Sequence, residues 1–407
     1  MLFWKNLSAR TLIVLINQIS ILIAIPIVAS RIGIENFGLL SVAMIFFQVA
    51  FMLTEWGFGV PAIKESHEAK GKKTLGLMFI EVNLIKGFIL FFLIITLILI
   101  QKINLSFFDN HALFYGLIFA IIAAAFNPLW YFQAIEQPEK LVLPSIIGRA
   151  LYLSIIFFLV SGSDSMHWVL TAQGFSYALT VAWSLYFVVP FLKNTPKLKL
   201  NNVKKRFVNT TPFFLSGAIM GQFHSIWGLF LIAVAGPIEI AIFNLADQAL
   251  RAGSAFTNIL PEVLLVSHLN EGEEANNSSR IKLAIFAVIV LSIIGLFLTK
   301  LMITLFIGDS YLIAANVIQV TIIIWLFLAI IKLLGYPLLG IRFGLDRVNK
   351  VNYIFAIMNF VGIPVWLYFG NLTSVGLAYF VLSICLIYLV IQVFLIKSDL
   401  ASKFLKV

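Results

Sequence analysis

Apolar runs of membrane-crossing length recur from one end of this chain to the other, and few folds satisfy that constraint. A helix needs about 20 predominantly apolar residues to cross the hydrocarbon core of a bilayer. Twelve stretches approach or exceed that length: 11–29, 38–62, 77–100, 112–134, 143–161, 168–192, 209–235, 240–266, 282–307, 312–339, 351–369 and 374–396. In lipid, backbone polar groups must bond within their own segment, so runs of this kind become helices. Only 11% of the 407 residues are charged and 61% are hydrophobic, whereas a soluble chain carries roughly a quarter charged residues. The expected fold class is an all-α polytopic membrane protein of about twelve transmembrane helices. The first run follows Lys5 and Arg10, yet it is too long for a signal-peptide core and no small-residue cleavage site follows it. It reads as a retained span.

Charge in the connections tests this topology. Of the 28 Lys and Arg, 21 lie at the termini or in the connections after even-numbered spans, and only Arg31 and Lys102 in the others. By the positive-inside rule both termini are expected in the cytoplasm. The formal net charge of +10 is then a topology signal, and basic loops beside anionic headgroups account for it without nucleic acid. The outer connections 236–239, 308–311 and 371–374 are barely turns, which argues against a soluble catalytic loop at the outer face. The longest polar break, Lys193 to Phe207, separates six spans from six and suggests two pseudo-symmetric lobes, 1–197 and 198–407. The stretch from Gly33 can be laid over that from Gly236, and the second span of each half ends at a proline, Pro61 or Pro261.

Nine charges remain at bilayer depth: Lys86, Arg149, Arg251, Lys300, Lys332, Glu55, Glu81, Asp247 and Glu262. Each costs roughly 2.5–3.5 kcal/mol at a helix centre, so each needs a reason. Lys86, Arg149, Lys332 and Lys300 sit roughly 9–15 Å in from a span end. Snorkelling to the headgroups and a functional role are both open for them. Arg251 lies near the middle of its span, with Asp247 four residues earlier on the same face. The two form either a self-neutralising structural pair or a cavity-lining one. Glu55 has no basic neighbour in its own span, so it either carries a coupling proton or pairs with Lys86 or Arg149 on another helix. Beside it, Gly57 and Gly59 suit close helix packing. Glu81, near a polar helix start, reads as interfacial. Pro26, Pro128, Pro212, Pro337 and Pro364 kink or flank spans.

No enzymatic constellation accompanies these charges. The five histidines are scattered without metal-ligand spacing, one cysteine cannot build a disulfide framework, and no GxxxxGK[ST] nucleotide loop is present. No cofactor is expected. Energy must come from an ion gradient or from the cargo, and the excess of deep cations points to an anionic cargo, with phosphate or pyrophosphate the natural partner.

Four stretches carry a family resemblance. They are Pro26 to Gln48; Glu55-Trp56-Gly57-Phe58; Asn127-Pro128-Leu129-Trp130-Tyr131-Phe132-Gln133-Ala134-Ile135-Glu136 followed by Arg149; and Phe243-Asn244-Leu245-Ala246-Asp247 with Pro261. Together they resemble the Wzx-type polysaccharide repeat-unit flippases of the multidrug/oligosaccharidyl-lipid/polysaccharide exporter superfamily. In span 8 the family pattern continues into a basic residue where this chain has Gln248, and Arg251 lies one turn later. The resemblance implies a multi-pass protein of the bacterial inner membrane. Its cargo would be undecaprenyl-pyrophosphate-linked oligosaccharide, moved from the cytoplasmic to the periplasmic leaflet by alternating access. Coupling to a proton or sodium gradient and contact with polymerase and chain-length machinery are implied as well. From the residues themselves, Arg149, Lys86 and Lys332 would form a basic vestibule on the cytoplasmic side, Arg251 would hold the pyrophosphate or acidic sugars near the midplane, and Lys300 is a further substrate-binding candidate. Glu55 and Asp247 would couple the ion. Trp130, with Tyr131, belongs either to an interfacial aromatic belt or to a sugar-stacking platform. The rival readings are an antiporter exporting anionic solutes on the same fold and a membrane glycosyltransferase or polymerase.

Overall fold

The computed structural model describes residues 2–68, 72–103, 110–192, 195–221, 223–258, 277–335 and 345–397, and among them it contains helices and turns but no β-strand. In chain order the helices are α1 (Leu2–Glu55), α2 (Gly59–Glu68), α3 (Lys72–Lys102), α4 (His111–Ala125), α5 (Leu129–Ala134), α6 (Val142–Leu159) and α7 (His167–Leu192). Then come α8 (Leu200–Gly221), α9 (Phe223–Val234), α10 (Pro237–Thr257), α11 (Asn277–Phe306), α12 (Ala315–Leu334), α13 (Leu345–Phe369) and α14 (Ser374–Lys397). Among the described residues, nine segments are long and apolar enough to cross a membrane. Their outward faces carry the large apolar side chains that lipid accepts: Phe88 and Phe91 on α3 are exposed, and Phe297 on α11 is 82% exposed.

The first of the nine segments covers two expected spans. Within α1 the helix is interrupted at Gly33, whose φ of +75° and ψ of 165° lie outside helical space, a conformation open to a residue without Cβ. α8 with α9, and α10, occupy the places of expected spans 7 and 8. The Lys- and Asn-rich start of α8, the brevity of α9 and the charges of α10 keep them outside the apolar criterion. Expected span 2 stops at Glu55 rather than running to residue 62, because Trp56 (φ 38°) and Gly57 (φ 66°) turn the chain before α2. Pro26, Pro212 and Pro364 lie inside helices. Pro128 marks the break between α4 and α5. Pro261, Glu262 and Pro337 lie outside the described residues.

The chain divides into two compact units, 1–229 and 230–407. In the first, α7 packs on α4 and α6, and both of these pack on α1. Asn110 caps α4 by accepting a bond from the Leu113 amide at 3.0 Å. At the same end of the bundle, Arg31 caps α6. Its guanidinium donates to the carbonyls of Ile156, Phe157 and Val160 at 3.3, 2.7 and 2.7 Å, a cation placed where the α6 dipole is negative. A core of Phe58, Val82, Ile85, Trp130, Tyr131 and Phe132 fills the space between α2, α3 and α5. In the second unit, α12 packs on α10, α11 and α14. There Glu239 at the start of α10 accepts from the Ser374 amide at 2.7 Å and so caps α14.

α8 is fastened to the rest of the first unit by rings and charges. Trp56 stacks between Phe207 and Phe214, with centroids 4.8 and 4.2 Å away. Gly57 makes this approach possible, since a Cβ there would fall 2.6 Å from the Phe214 nitrogen. Gly57→Ala is therefore expected to lower thermal stability in detergent. The left-handed backbone alone costs about 1–2 kcal/mol, and the clash adds to it. Gly59→Ala is the control: its nearest atom, Gln133 Oε1, is 4.0 Å away, so its melting temperature is expected to stay near that of the parent. Equal melting temperatures for the two variants would remove this account of Gly57.

Candidate functional site

Deep polar side chains of the first unit converge at the helix break. After Ala125 the chain leaves α4 and restarts at Leu129. The Tyr131 and Phe132 amides both donate to Pro128 O as the helix restarts, so the Asn127 carbonyl is open to another donor. Lys86 of α3 supplies it, with Nζ donating to Asn127 O at 3.3 Å and to Glu55 Oε1 at 2.8 Å. Lys86 is wholly buried, while the Glu55 side chain is 29% exposed. Of the partners open to Glu55 in the sequence, the fold brings it Lys86. Lys86 thus does two things at once: it neutralises Glu55 and satisfies the negative end of α4.

Arg149 is held differently. It projects from α6 between α1 and α7 and is 4% exposed. Nε donates to Asn17 Oδ1 at 2.7 Å and Nη1 to Gln173 Oε1 at 2.8 Å. The rings of Tyr152 and Tyr177 lie 5.5 and 5.4 Å from Cζ, within cation–π range. Among the described residues no carboxylate pairs with it. Beside it is a cavity of about 30 Å³ whose lining includes Asn17, Asn127, Ser145, Ser176, Tyr177 and Thr180. That is room for water, and a diphosphate needs a wider opening than this.

The other expected residues are scattered. Trp130 is 2% exposed and packs among Phe58, Phe79 and Tyr131, with centroids 6.3, 6.2 and 5.6 Å apart. It is a core residue in this structure, with neither belt exposure nor a face open to a sugar. In the second unit, Arg251 Nε and Asp247 Oδ2 form the i,i+4 pair at 2.7 Å. Asn244, Asp247 and Gln248 are buried beside it. Lys332 donates to Asn258 Oδ1 at 2.6 Å. Lys300 is exposed on α11.

Sequence reasoning missed one cation. Arg206 belongs to the basic break between spans 6 and 7, yet it is a clamp: it pairs with Glu65 of α2 and with Glu81 of α3, the latter at 2.7 Å. Glu81 is 2% exposed, held by an ion pair at the start of its span. Burial pulls the Arg206 pKa down, but the bonds and charges of Glu65 and Glu81 outweigh it and leave it raised. The spacing of Glu65 and Glu81 around the 63–75 connection was the available signal. Its partner lay 125 residues away. Among the described residues, no group of three or more His, Cys, Asp or Glu could hold a metal.

A family model described as polysaccharide biosynthesis protein matches residues 3–265. Two curated relatives are each named "Putative O-antigen transporter". The one from Escherichia coli K12 is 23% identical over 262 residues, covering 61% of this chain and 60% of the relative's length. The one from Shigella dysenteriae is 22% identical over 326 residues, covering 77% and 80%. Among solved structures, an inward-facing multidrug resistance MATE family transporter of the MOP superfamily superposes with a TM-score of 0.65 at 14% identity, covering 96% of each chain. The lipid II flippase MurJ in an inward closed conformation gives 0.62 at 14% identity, covering 100% of this chain and 90% of that one. The helical fold is of the MATE and MurJ type.

Proposed function

The chain belongs to the polysaccharide biosynthesis protein family, and from that premise we propose that it is a flippase for undecaprenyl-pyrophosphate-linked oligosaccharide repeat units in the bacterial inner membrane. It would carry them from the cytoplasmic to the periplasmic leaflet by alternating access between two six-span lobes, with both termini in the cytoplasm and a proton or sodium gradient as the energy source. The names of the two O-antigen relatives and the fold shared with a lipid II flippase support this reading. One observation carries it: Arg149, buried beside a small cavity, is held by neutral amides, and no carboxylate among the described residues pairs with it. In this reading Arg149 meets the pyrophosphate when α1, α6 and α7 part, and Arg251, Lys332 and Lys300 bear on its path. Glu55 and Asp247 are the ion-coupling candidates. Trp130 supports the site from the core.

The fold shared with MATE transporters keeps one rival in view, export of soluble anions. Depletion of the protein in its own cell separates the two. A flippase is expected to leave lipid-linked oligosaccharide accumulating on the cytoplasmic face, inaccessible to periplasmic polymerisation. An anion exporter leaves that distribution unchanged. Normal periplasmic delivery without a redundant flippase would falsify the proposal.

A further inference from the structure

We propose that Asn17 and Gln173 are specificity-determining residues of the Arg149 site, because their neutral amide oxygens fix the guanidinium without cancelling its charge. This rests on the reading above, in which Arg149 meets the diphosphate of the cargo. A buried guanidinium needs acceptors, and elsewhere in this unit two largely buried cations find carboxylates: Lys86 takes Glu55, and Arg206 takes Glu65 and Glu81. At Arg149 both acceptors are amides instead, contributed by α1 and α7 at 2.7 and 2.8 Å. The remaining close groups, the Tyr152 and Tyr177 rings, are neutral too. A carboxylate has the same shape as either amide and binds a guanidinium more strongly. The amides therefore give up local attraction and leave a positive field at the cavity wall. They commit two of the five guanidinium N–H groups. Apart from Arg149 the lining residues are uncharged, Asn17 among them, so the charge balance around the guanidinium is set by its two acceptors, Asn17 and Gln173.

The substitutions Asn17→Asp and Gln173→Glu test this, since each changes charge with almost no change of shape. The full chain, purified in lipid nanodiscs, is titrated with inorganic pyrophosphate by calorimetry, and its melting temperature is followed in parallel. The acidic variants are expected to melt at or above the parent temperature, because an ion pair replaces an amide contact. Their pyrophosphate affinity is expected to fall at least about tenfold, since the new carboxylate both neutralises Arg149 and repels the anion. The neutral variants Asn17→Ser and Gln173→Asn are expected to stay within about threefold of the parent. A merely structural role predicts the opposite pairing, with affinity following stability and the neutral variants affected most. Arg149→Gln distinguishes the two levels of the argument. If it abolishes binding while both acidic variants bind like the parent, the role of the amides is overturned and the anion site stands. If the parent fails to bind pyrophosphate, or Arg149→Gln binds like the parent, the reading of Arg149 falls and this inference falls with it. Two positions on separate helices keep the test decisive should one variant fail to fold.

Discussion

Arg149→Ala is expected to abolish export of lipid-linked oligosaccharide while the protein still reaches the membrane. The side chain makes two short bonds to neutral amides. Its removal orphans two carbonyl oxygens, each at about 1–3 kcal/mol, but no buried counter-charge. Charge-assisted bonds to a diphosphate contribute about 1.5–3 kcal/mol each, so losing two of them lowers cargo affinity at least about a hundredfold. Arg149→Lys is expected to fall between parent and alanine. An ammonium keeps the charge, but it lacks the planar fork that reaches Asn17 and Gln173 at once. Periplasmic delivery of repeat units, normalised to protein in the membrane, checks both variants. Parental delivery by the alanine variant sinks the assignment.

That contrast between cations was not legible in the sequence, and the reason is physical. Depth along a span follows from counting residues, so Lys86, Arg149 and Lys332 could be singled out in advance. Local geometry was equally accessible: Arg251 and Asp247 sit four apart on one helix and form the pair that spacing implies. Neutralisation across helices is a tertiary property. Lys86 meets a carboxylate 31 residues away, whereas Arg149 meets amides 132 and 24 residues away. Nothing in either span distinguishes the two. Arg206 shows the same limit from the other side, since a residue in a polar connection turned out to grip two acidic groups, one of them buried. Trp130 could have suited a belt, a platform or a core, and only packing against Phe58 and Phe79 decides among them. The apolar runs located most of the helices. The turn at Trp56 and Gly57 escaped because its cause, a stack on Phe207 and Phe214, lies on α8.

The Glu55–Lys86 pair should respond asymmetrically to mutation, and the asymmetry separates structure from coupling. Lys86 is fully buried, with Glu55 and one backbone carbonyl as its hydrogen-bond partners. Glu55→Leu leaves an ammonium in the interior without a counter-charge, and removing one partner of a buried pair costs about 3–5 kcal/mol. Lys86→Met leaves Glu55, which is 29% exposed and can recover part of its hydration, so its cost is expected to be smaller, about 1–3 kcal/mol. The double variant removes both charges and replaces them with apolar volume, which often restores stability or improves on it. Melting temperatures in detergent should therefore rank the double variant near the parent, Lys86→Met below it, and Glu55→Leu lowest. Additive losses in the double variant would show that the pair is not the unit that matters here. Transport then answers the second question on protein that is folded. If Glu55 serves only to neutralise Lys86, the double variant regains delivery of repeat units together with its stability. If Glu55 carries the coupling ion, the double variant regains stability alone, and delivery stays lost despite a protein that melts like the parent.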